Sequence, residues 1–203
     1  MNKAARKKRL SLLLYCEIII GIIFAVTFKS IPQSFDLGIL HFFYLLRFST
    51  LNSVMVFISM LGGVGMIYVG ILVVIFLFMI RRRSEAFLLI LMTCVAQVVD
   101  VILKIIIQRP RPQFYPLVIE RDYSFPSGHA MTSFVFYLTI SYLIFHLTRN
   151  KRLSLISFGI FSIIILLIGI SRVYLGVHYP TDVVAGYWGG LIVLTAAARI
   201  QNN

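Results

Sequence analysis

Charged residues are scarce in this chain of 203 residues: they make up only 13% of it. Hydrophobic residues make up 60%, and the mean hydropathy is +0.95. A soluble domain carries about 25% charged residues, so this mixture cannot cover a water-facing surface. The composition therefore excludes a soluble protein and predicts an integral membrane protein, with residues 1–203 forming a single membrane-embedded domain.

Acidic residues are scarcer still, with seven Asp and Glu against nineteen Lys and Arg, which gives a net charge of +12. In a soluble protein this imbalance would suggest nucleic acid as a partner. Here the basic residues cluster between apolar runs, which is typical of membrane topology and fits an anionic substrate. We predict the bilayer as a partner and no nucleic acid.

Cysteine is nearly absent, since the chain has only Cys16 and Cys94, both inside apolar runs. No CxxC spacing and no Cys/His cluster occurs in the sequence. A disulfide framework and a structural zinc site are therefore both disfavoured. We interpret the two thiols as free and buried.

Six apolar runs are long enough to cross a bilayer core, which needs roughly 20 residues. They cover residues 10–28, 54–80, 87–107, 130–147, 153–170 and 183–200. The second run is long enough to tilt, and its four glycines predict close helix packing. Residues 32–51 mix Asp36, His41 and Arg47 with large apolar side chains, which is typical of a helix lying in the membrane interface. The predicted fold is all-α, with six transmembrane helices and an interfacial helix between the first two.

Loop charges orient these spans. With the N-terminus in the cytoplasm, twelve Lys and Arg lie on the cytoplasmic side and seven on the other side. Because an excess of Lys and Arg marks the cytoplasmic side, both termini are predicted to be cytoplasmic. The long polar segment, residues 108–128, then lies outside.

Three polar clusters fall at helix ends on this outer side. The first holds Lys104 and Arg111-Pro112, the second is Pro126-Ser127-Gly128-His129, and the third holds Ser171-Arg172, His178 and Asp182. Lys and Arg match the charge and geometry of phosphate oxygens. A Ser-Gly pair at a helix start adds free N–H groups and the positive end of the helix dipole. The clusters therefore predict a phosphate site.

The two histidines add a capacity for chemistry near neutral pH, because imidazole can both attack and transfer a proton. Asp182 stands four residues after His178, so it can hold one ring nitrogen protonated and leave the other free to attack. Two alternatives stay open: packing histidines, and a His/His/Asp metal site. The three nearby basic residues disfavour the metal site because they would repel a divalent cation.

The three clusters, complete and in this order, resemble the signature motifs of the type 2 phosphatidic acid phosphatase superfamily. The resemblance implies that His178 is the nucleophile of a phosphohistidine intermediate and that Asp182 orients it. It implies that His129 protonates the departing oxygen and then activates water. It further implies a phosphoryl-binding set without metal or other cofactor: Lys104, Arg111, Ser127, Gly128 and Arg172.

The short form of the chain is similar to bacterial members of that family that act on lipid phosphates in the cell membrane. The resemblance implies hydrolysis of phosphatidylglycerophosphate to phosphatidylglycerol, of undecaprenyl diphosphate to undecaprenyl phosphate, or of both. Phosphatidate and diacylglycerol diphosphate are further candidates. Two other functions remain: phosphotransfer to a hydroxyl at the same site, and anion transport, which the strongly apolar spans disfavour.

Several polar residues lie outside the motifs. Asp100 precedes Lys104 by one helical turn, and we predict that Asp100 and Gln97 support that lysine rather than react. We interpret Arg47, Arg109 and Arg121 as anchors to lipid headgroups. His41 and His146 are interpreted as interfacial or packing residues. For Glu17 in the first span, protonation and a bond to another helix both remain open.

Overall fold

The computed structural model describes residues 3–27 and 33–200, and this part of the chain is built of helices without strands. The helices are α1 (Lys3–Thr27), α2 (Gln33–Leu45), α3 (Ser49–Met60), α4 (Val64–Met79), α5 (Arg83–Ile107), α6 (Gly128–Thr148), α7 (Lys151–Tyr174) and α8 (Pro180–Ile200). The predicted all-α class is confirmed. The last residue of the first predicted span and the first residue of the predicted interfacial helix lie outside the described residues.

Four helices, α5 to α8, are long and apolar enough to cross a membrane, and α3 with α4 gives a fifth if the bent pair is one span. Two described segments are apolar but shorter, Leu10–Ile23 of α1 and Ser34–Leu45 of α2. The chain is thus a multi-pass protein embedded in a membrane. Its exposed apolar side chains provide the surface that lipid covers.

The second predicted span is not one continuous helix. α3 ends at Met60, α4 begins at Val64, and the two are bent by 42°. A Cβ on Gly65 would lie 2.8 Å from the Met60 carbonyl oxygen, so only glycine fits the turn there. The predicted close packing is present, since a Cβ on Gly62 would lie 2.6 Å from Ile168 and one on Gly70 3.3 Å from Phe136, and the same run of glycines also contains the break.

α6 is the central helix of the bundle. In its apolar window 61% of the residues are buried, against 22–28% in α5, α7 and α8, which surround it. Phe136 of α6 packs with Leu89 of α5 and Ile168 of α7 in the largest core cluster. The helix that begins with the second motif is therefore fixed by packing on several sides.

Local signals set the helix ends at the polar clusters. α5 ends at Ile107, and the next residue, Gln108, takes the left-handed conformation (φ 51°) just before Arg109-Pro110. α8 begins with Pro180, and the Asp182 carboxylate accepts the Tyr179 N–H at 2.9 Å. This is the usual arrangement at a helix start, with proline at the first helical position and an acid three residues after Tyr179, the residue that precedes the helix.

Both cysteines are free, as predicted, but they are exposed on the bundle surface rather than buried. Their helices turn apolar faces outward for lipid, and sequence hydropathy does not separate a lipid-facing position from a core position. The prediction of buried thiols is wrong.

Candidate active site

A cavity of about 470 Å³ opens where the loop between α5 and α6 meets α4, α5 and α6. The predicted site residues that line it are Gln97, Asp100, Lys104, Arg111, Gly128, His129 and His178. Ser127, Arg172 and Asp182 lie behind the wall and are fully or almost fully buried. The structure therefore brings the three sequence clusters together around one cavity.

His178 occupies the short connection between α7 and α8 and is 1% exposed. Its Nε2 lies 3.1 Å from Nη1 of Arg111, and its Nδ1 lies 3.5 Å from Oδ2 of Asp182. Because arginine only donates, Nε2 must be the unprotonated acceptor, and the ring proton sits on Nδ1. The lone pair of the neutral imidazole is then on Nε2, the nitrogen that accepts from Arg111.

Asp182, in the first turn of α8, is completely buried and accepts several hydrogen bonds. Oδ2 accepts from the Tyr179 N–H at 2.9 Å and from the Ser124 hydroxyl. Oδ1 accepts from Arg109 Nη1 at 2.6 Å. The carboxylate is thus fixed beside the protonated nitrogen of His178, although 3.5 Å is longer than a good hydrogen bond.

The three predicted phosphate-binding cations come from different elements and meet at the cavity. Lys104 is near the end of α5, Arg111 is in the following loop, and Arg172 is in the last turn of α7. Arg111 also donates to the Val177 carbonyl at 2.8 Å, and buried Arg172 donates to the Ser59 hydroxyl at 2.7 Å. These bonds hold the guanidinium planes in place without consuming all their donors.

Ser127 and Gly128 form the N-terminal edge of α6. The Ser127 hydroxyl is buried and has no hydrogen-bond partner within the described residues. A Cβ on Gly128 would lie 2.6 Å from Oδ2 of Asp100, so glycine permits α6 to start against α5. Free N–H groups at such a helix start favour an anion.

His129 follows on the first turn of α6 and lies against the break between α3 and α4. A Cβ on Gly63 would be 2.8 Å from Nε2 of His129, and one on Gly62 would be 3.4 Å from its ring. The two glycines therefore leave the space that the imidazole occupies at the edge of the cavity.

A model of the PAP2 superfamily matches residues 85–203, more than half of the chain and the part that contains all three clusters. The chain belongs to the PAP2 superfamily. Phosphatidylglycerophosphatase B of Bacillus subtilis is 37% identical over 166 residues, which cover 79% of this chain and 80% of that protein. An undecaprenyl-diphosphatase of Sulfolobus acidocaldarius is 31% identical over 164 residues, covering 77% of this chain and 74% of that protein.

Solved structures agree with this assignment. The crystal structure of a transmembrane PAP2-type phosphatidylglycerolphosphate phosphatase from Bacillus subtilis matches with a TM-score of 0.85 at 32% identity, covering 93% of this chain and 96% of that chain. The crystal structure of Aquifex aeolicus LpxE matches with a TM-score of 0.62 at 27% identity, covering 80% and 94%. The family predicted from the motifs is confirmed, and this PAP2 protein is a membrane-embedded phosphatase.

Two acids in the loop before the second motif were missed by sequence reasoning. Asp122 contacts Arg111 and lies 2.5 Å from Nζ of Lys104, while Glu120 pairs with Arg172. The three cations of the PAP2 site are therefore occupied by carboxylates of its own chain. The signal available in the sequence was the Glu-Arg-Asp run at 120–122, inside the polar segment and a few residues before His129.

The prediction that Arg109 and Arg47 anchor to lipid headgroups is wrong. Arg109 bridges two buried acids, with Nη1 2.6 Å from Asp182 and Nη2 2.7 Å from Asp36 in α2. Arg47 donates to the Tyr174 carbonyl at 2.6 Å and caps the end of α7. Both arginines stand near helix ends, which suggested contacts with lipid headgroups. The groups that accept their hydrogen bonds, however, belong to segments distant in sequence. Arg121 is exposed, and its role stays a prediction.

Asp100 contacts Lys104 as predicted, and the supporting role of Gln97 stays a prediction. Asp100 is 1% exposed and lies 3.1 Å from Nζ of Lys104, which confirms their pairing. Gln97 is exposed and lines the cavity one helical turn before Asp100 in α5. Glu17 is bonded across helices, since its Oε1 accepts from the Thr195 hydroxyl at 3.2 Å.

Electrostatics outside the spanning helices keep His178 neutral. Burial lowers the pKa of His178 to about 4, although Asp182 opposes the shift, and the nearby cations Arg111 and Arg172 lower it further. Partial burial raises the pKa of Asp122, but hydrogen bonds from Lys104 and Arg111 outweigh it and hold that pKa at about 2. At neutral pH His178 is therefore uncharged and Asp122 is ionised.

Proposed function

We propose that this PAP2 protein hydrolyses lipid phosphate esters through a phosphohistidine formed on His178. The observation that carries the proposal is the placement of Nε2 in the cavity, 3.1 Å from Arg111, with Nδ1 turned to the buried Asp182. A neutral imidazole with its lone pair aimed at a cluster of phosphate-binding groups is arranged for in-line attack on phosphorus.

In the first step the Nε2 lone pair forms a bond to phosphorus while the bond from phosphorus to the departing oxygen breaks; this oxygen is the ester oxygen of a monophosphate or the bridging oxygen of a diphosphate. His129 gives its proton to the departing oxygen, which leaves as the lipid alcohol or lipid monophosphate. The Nδ1 proton stays on the ring, and Asp182 stabilises the positive charge that develops there. Charge on the phosphoryl oxygens is met by Lys104, Arg111 and Arg172.

In the second step a water oxygen attacks the phosphorus of the phosphohistidine, and the bond from nitrogen to phosphorus breaks. His129 takes the water proton, so both histidines return to their starting states as inorganic phosphate forms. Ser127 and Gly128 bind the phosphoryl oxygens through the hydroxyl and the N–H groups at the start of α6.

The substrate phosphate must replace Glu120 and Asp122 on the three cations before attack. Both acids belong to the loop rather than to a spanning helix, so they can leave without moving the bundle. The exchange substitutes one set of anionic oxygens for another, and the cations are never left unpaired.

The lipid chain has an adjoining path. An apolar cavity of about 310 Å³ lies between α4 and α5 and shares Met66, Ile67, Thr93 and Cys94 with the polar cavity. We propose that an acyl or isoprenoid chain enters there from the side, with its phosphate at the histidines. Asp100 and Gln97 line the polar cavity together with Lys104 and support that lysine.

For the substrate we propose phosphatidylglycerophosphate, converted to phosphatidylglycerol, and undecaprenyl diphosphate, converted to undecaprenyl phosphate. The names of the two relatives, phosphatidylglycerophosphatase B and undecaprenyl-diphosphatase, support both substrates, and the two matches cover most of this chain. No metal or other cofactor enters the proposed steps, because the cationic residues supply the positive charge.

The topology that we propose has six spans in a single domain, with α1 crossing the membrane, α3 and α4 together forming the second span, and α2 lying in the interface. Both termini are cytoplasmic, and the cavity faces the extracytoplasmic side of a bacterial cell membrane. The distribution of Lys and Arg supports this orientation.

Ile119 is 89% exposed in the cavity loop, so a membrane-impermeant maleimide should label Ile119→Cys in intact cells when Cys16 and Cys94 are replaced by serine. Labelling only after lysis would reverse the proposed orientation.

Phosphate release tests the reaction. Purified protein in detergent with EDTA should release phosphate from phosphatidylglycerophosphate and undecaprenyl diphosphate. His178→Ala should abolish release, while His146→Ala, a histidine at the opposite end of α6, should not. Acid-labile, base-stable labelling from a phosphate-labelled substrate, lost in His178→Ala, would identify the intermediate. Full activity of His178→Ala would overturn the proposal.

A further inference from the structure

The carboxylate beside the proposed nucleophile is held from behind by residues that do not reach the cavity. Nη1 of Arg109 lies 2.6 Å from Oδ1 of Asp182, and Nη2 lies 2.7 Å from Oδ2 of Asp36. Asp36 and Asp182 are 2% and 0% exposed. Asp36, Arg109 and Asp182 are not part of the cavity lining, and Arg109 is engaged with both acids.

Further contacts fix the guanidinium of Arg109 between the two acids. Its Nη1 also donates to the Thr181 hydroxyl at 2.7 Å, and its Cζ lies 3.9 Å from the centre of the Tyr179 ring. The Thr181 hydroxyl in turn donates to Asp36 at 2.7 Å, and the Thr181 N–H donates to the same carboxylate at 3.2 Å. Charge, hydrogen bonds and ring stacking all define one position for the arginine.

This arrangement is costly to bury. Two carboxylates and one guanidinium must all leave water, and replacement of such clusters by apolar residues is often neutral or stabilising. Asp36 comes from α2, more than 70 residues before Arg109, so the cluster ties a peripheral helix to the third motif. A stability role alone gives no reason to place these charges behind Asp182.

We infer that Arg109 and Asp36 are positioning residues of the reaction, which fix the place and the effective charge of Asp182 and, through it, of His178. The inference rests on the proposed function of His178 as the nucleophile. The positive charge of Arg109 partly compensates the negative charge of Asp182 and so weakens the attraction of Asp182 for a protonated His178. Asp36 limits that effect, because it competes for the same guanidinium.

The two residues therefore have opposite electrostatic effects on the nucleophile. Loss of the Arg109 charge leaves the Asp182 charge less compensated, which raises the pKa of His178. Loss of the Asp36 charge lets Arg109 act on Asp182 alone, which lowers it. The other charged or titratable groups around His178 stay in place in both variants: Arg111, Glu120, Asp122, Arg172, His129, Asp100 and Lys104.

The test compares Arg109→Gln, Arg109→Lys and Asp36→Asn in the full-length protein in detergent, with Arg121→Gln as the matched control. We expect kcat to fall about 10- to 100-fold in Arg109→Gln and Asp36→Asn. This is the range found when the residue that orients a metal-binding side chain is removed, and we take it as the analogue. KM should change less than threefold, because neither side chain reaches the cavity. Arg109→Lys should regain part of the loss, and Arg121→Gln should match the unchanged protein.

The pH profile separates positioning from a merely structural role. The acid limb of kcat/KM should move to higher pH in Arg109→Gln and to lower pH in Asp36→Asn. A mere loss of packing would shift the acid limbs of the two variants in the same direction, or would leave both acid limbs where they are in the unchanged protein. If Asp36→Asn does not fold, Arg109→Gln and Arg109→Lys decide alone: the acid limb should move to higher pH in Arg109→Gln and return towards its original position in Arg109→Lys, which restores the charge.

Three results would overturn the inference: unchanged kcat in both variants, a loss confined to KM, or acid limbs that move together. His178→Ala decides which proposal has failed. If His178→Ala is inactive while Arg109→Gln and Asp36→Asn are fully active, only the positioning inference fails. If His178→Ala remains active, the proposed function fails with it.

Discussion

At the scale of single residues, Asp122 holds Lys104 and Arg111 in pairs that, in the proposed reaction, a substrate phosphate replaces. Its side chain is 49% exposed, so the pairs are screened and each contributes about 0–1 kcal/mol. Asp122→Asn should therefore lower KM for a lipid phosphate by roughly two- to fivefold. Inorganic phosphate should inhibit the variant more strongly by a similar factor.

Initial rates against lipid concentration, and the inhibition constant of phosphate, measure this effect. Arg121→Gln changes the charge of the neighbouring exposed residue and is the control, with KM expected to rise slightly or stay the same. A higher KM in Asp122→Asn would mean that the acid organises the cations rather than competes with the substrate.

Gly63 gives a sharper test of the space around His129. A Cβ there would lie 2.8 Å from Nε2 of that histidine, so Gly63→Ala must push the ring out of place. A displacement of about 1 Å can cost 100-fold in rate, and we expect a loss of that order in kcat. Gly38→Ala, where a Cβ would contact nothing within 4 Å, is the control and should keep full activity.

The neutral state of His178 makes stability depend on pH. Its pKa is lowered to about 4 in the folded protein, against about 6.5 in the unfolded chain. Between these values the unfolded state binds more protons, so the free energy of unfolding falls as pH falls from 6.5 to 4. The loss attributable to this residue is at most roughly 3 kcal/mol.

Thermal unfolding in detergent at pH 7 and pH 5 checks this effect. The unchanged protein should lose more stability over this interval than His178→Asn, which has no imidazole to protonate. Equal losses in the two proteins would assign the pH dependence to other groups.

At the scale of helices, the crossing of α7 and α8 sets the distance between the two halves of the third motif. A Cβ on Gly169 would lie 2.0 Å from the Tyr187 hydroxyl oxygen, which donates to the Ile165 carbonyl. Gly169→Ala must separate the helices or displace Tyr187. We expect a destabilisation of about 1–3 kcal/mol from overpacking, together with reduced activity.

Gly159→Ala in the same helix provides the comparison, because a Cβ there would contact nothing within 4 Å. Alanine favours a helix over glycine by roughly 0.5–1 kcal/mol, so this variant should be slightly more stable. Denaturation midpoints of both variants measure the difference. Equal midpoints would show that the crossing tolerates the extra carbon.

Hydropathy predicted the long helices well and their interruptions poorly. The runs at 87–107, 130–147, 153–170 and 183–200 fall within α5 to α8, because a span must satisfy its backbone with helical bonds. The run at 54–80 is as apolar as the others, and nothing in its hydropathy marks Met60 as a helix end. The break depends on Gly65, which fits the turn against Met60, and on Gly62 and Gly63, which leave space for His129, and hydropathy records neither contact.

At the scale of the whole molecule, the polar and apolar cavities meet beside Cys94, which is free and exposed. A bulky maleimide on this thiol should therefore obstruct a long lipid chain. In a Cys16→Ser protein, modification should lower the activity on long-chain substrates several-fold and affect a water-soluble short-chain substrate less. The Cys94→Ser protein, treated in the same way at Cys16 on α1, is the control. Equal inhibition of both chain lengths would argue against the lateral path.

The motif residues could be placed around one cavity from sequence because helix ends at the same membrane depth must lie in one layer. Partners that belong to no motif could not be found in this way. Asp36 and Glu120 reach the site through tertiary contacts with Arg109 and Arg172, and no spacing rule connects such pairs. The chemical roles assigned to His129, His178 and Asp182 stay predictions until the variants are measured.

The matched family region starts at residue 85, yet residues before it complete the cavity. Ser59 accepts from Arg172, Gly63 makes room for His129, and Asp36 holds Arg109. The N-terminal helices are therefore parts of the catalytic unit rather than an anchor for it. A shortened chain that begins at α5 would keep every motif residue and still be incomplete, so exchange of this half between relatives requires that these three contacts be exchanged with it.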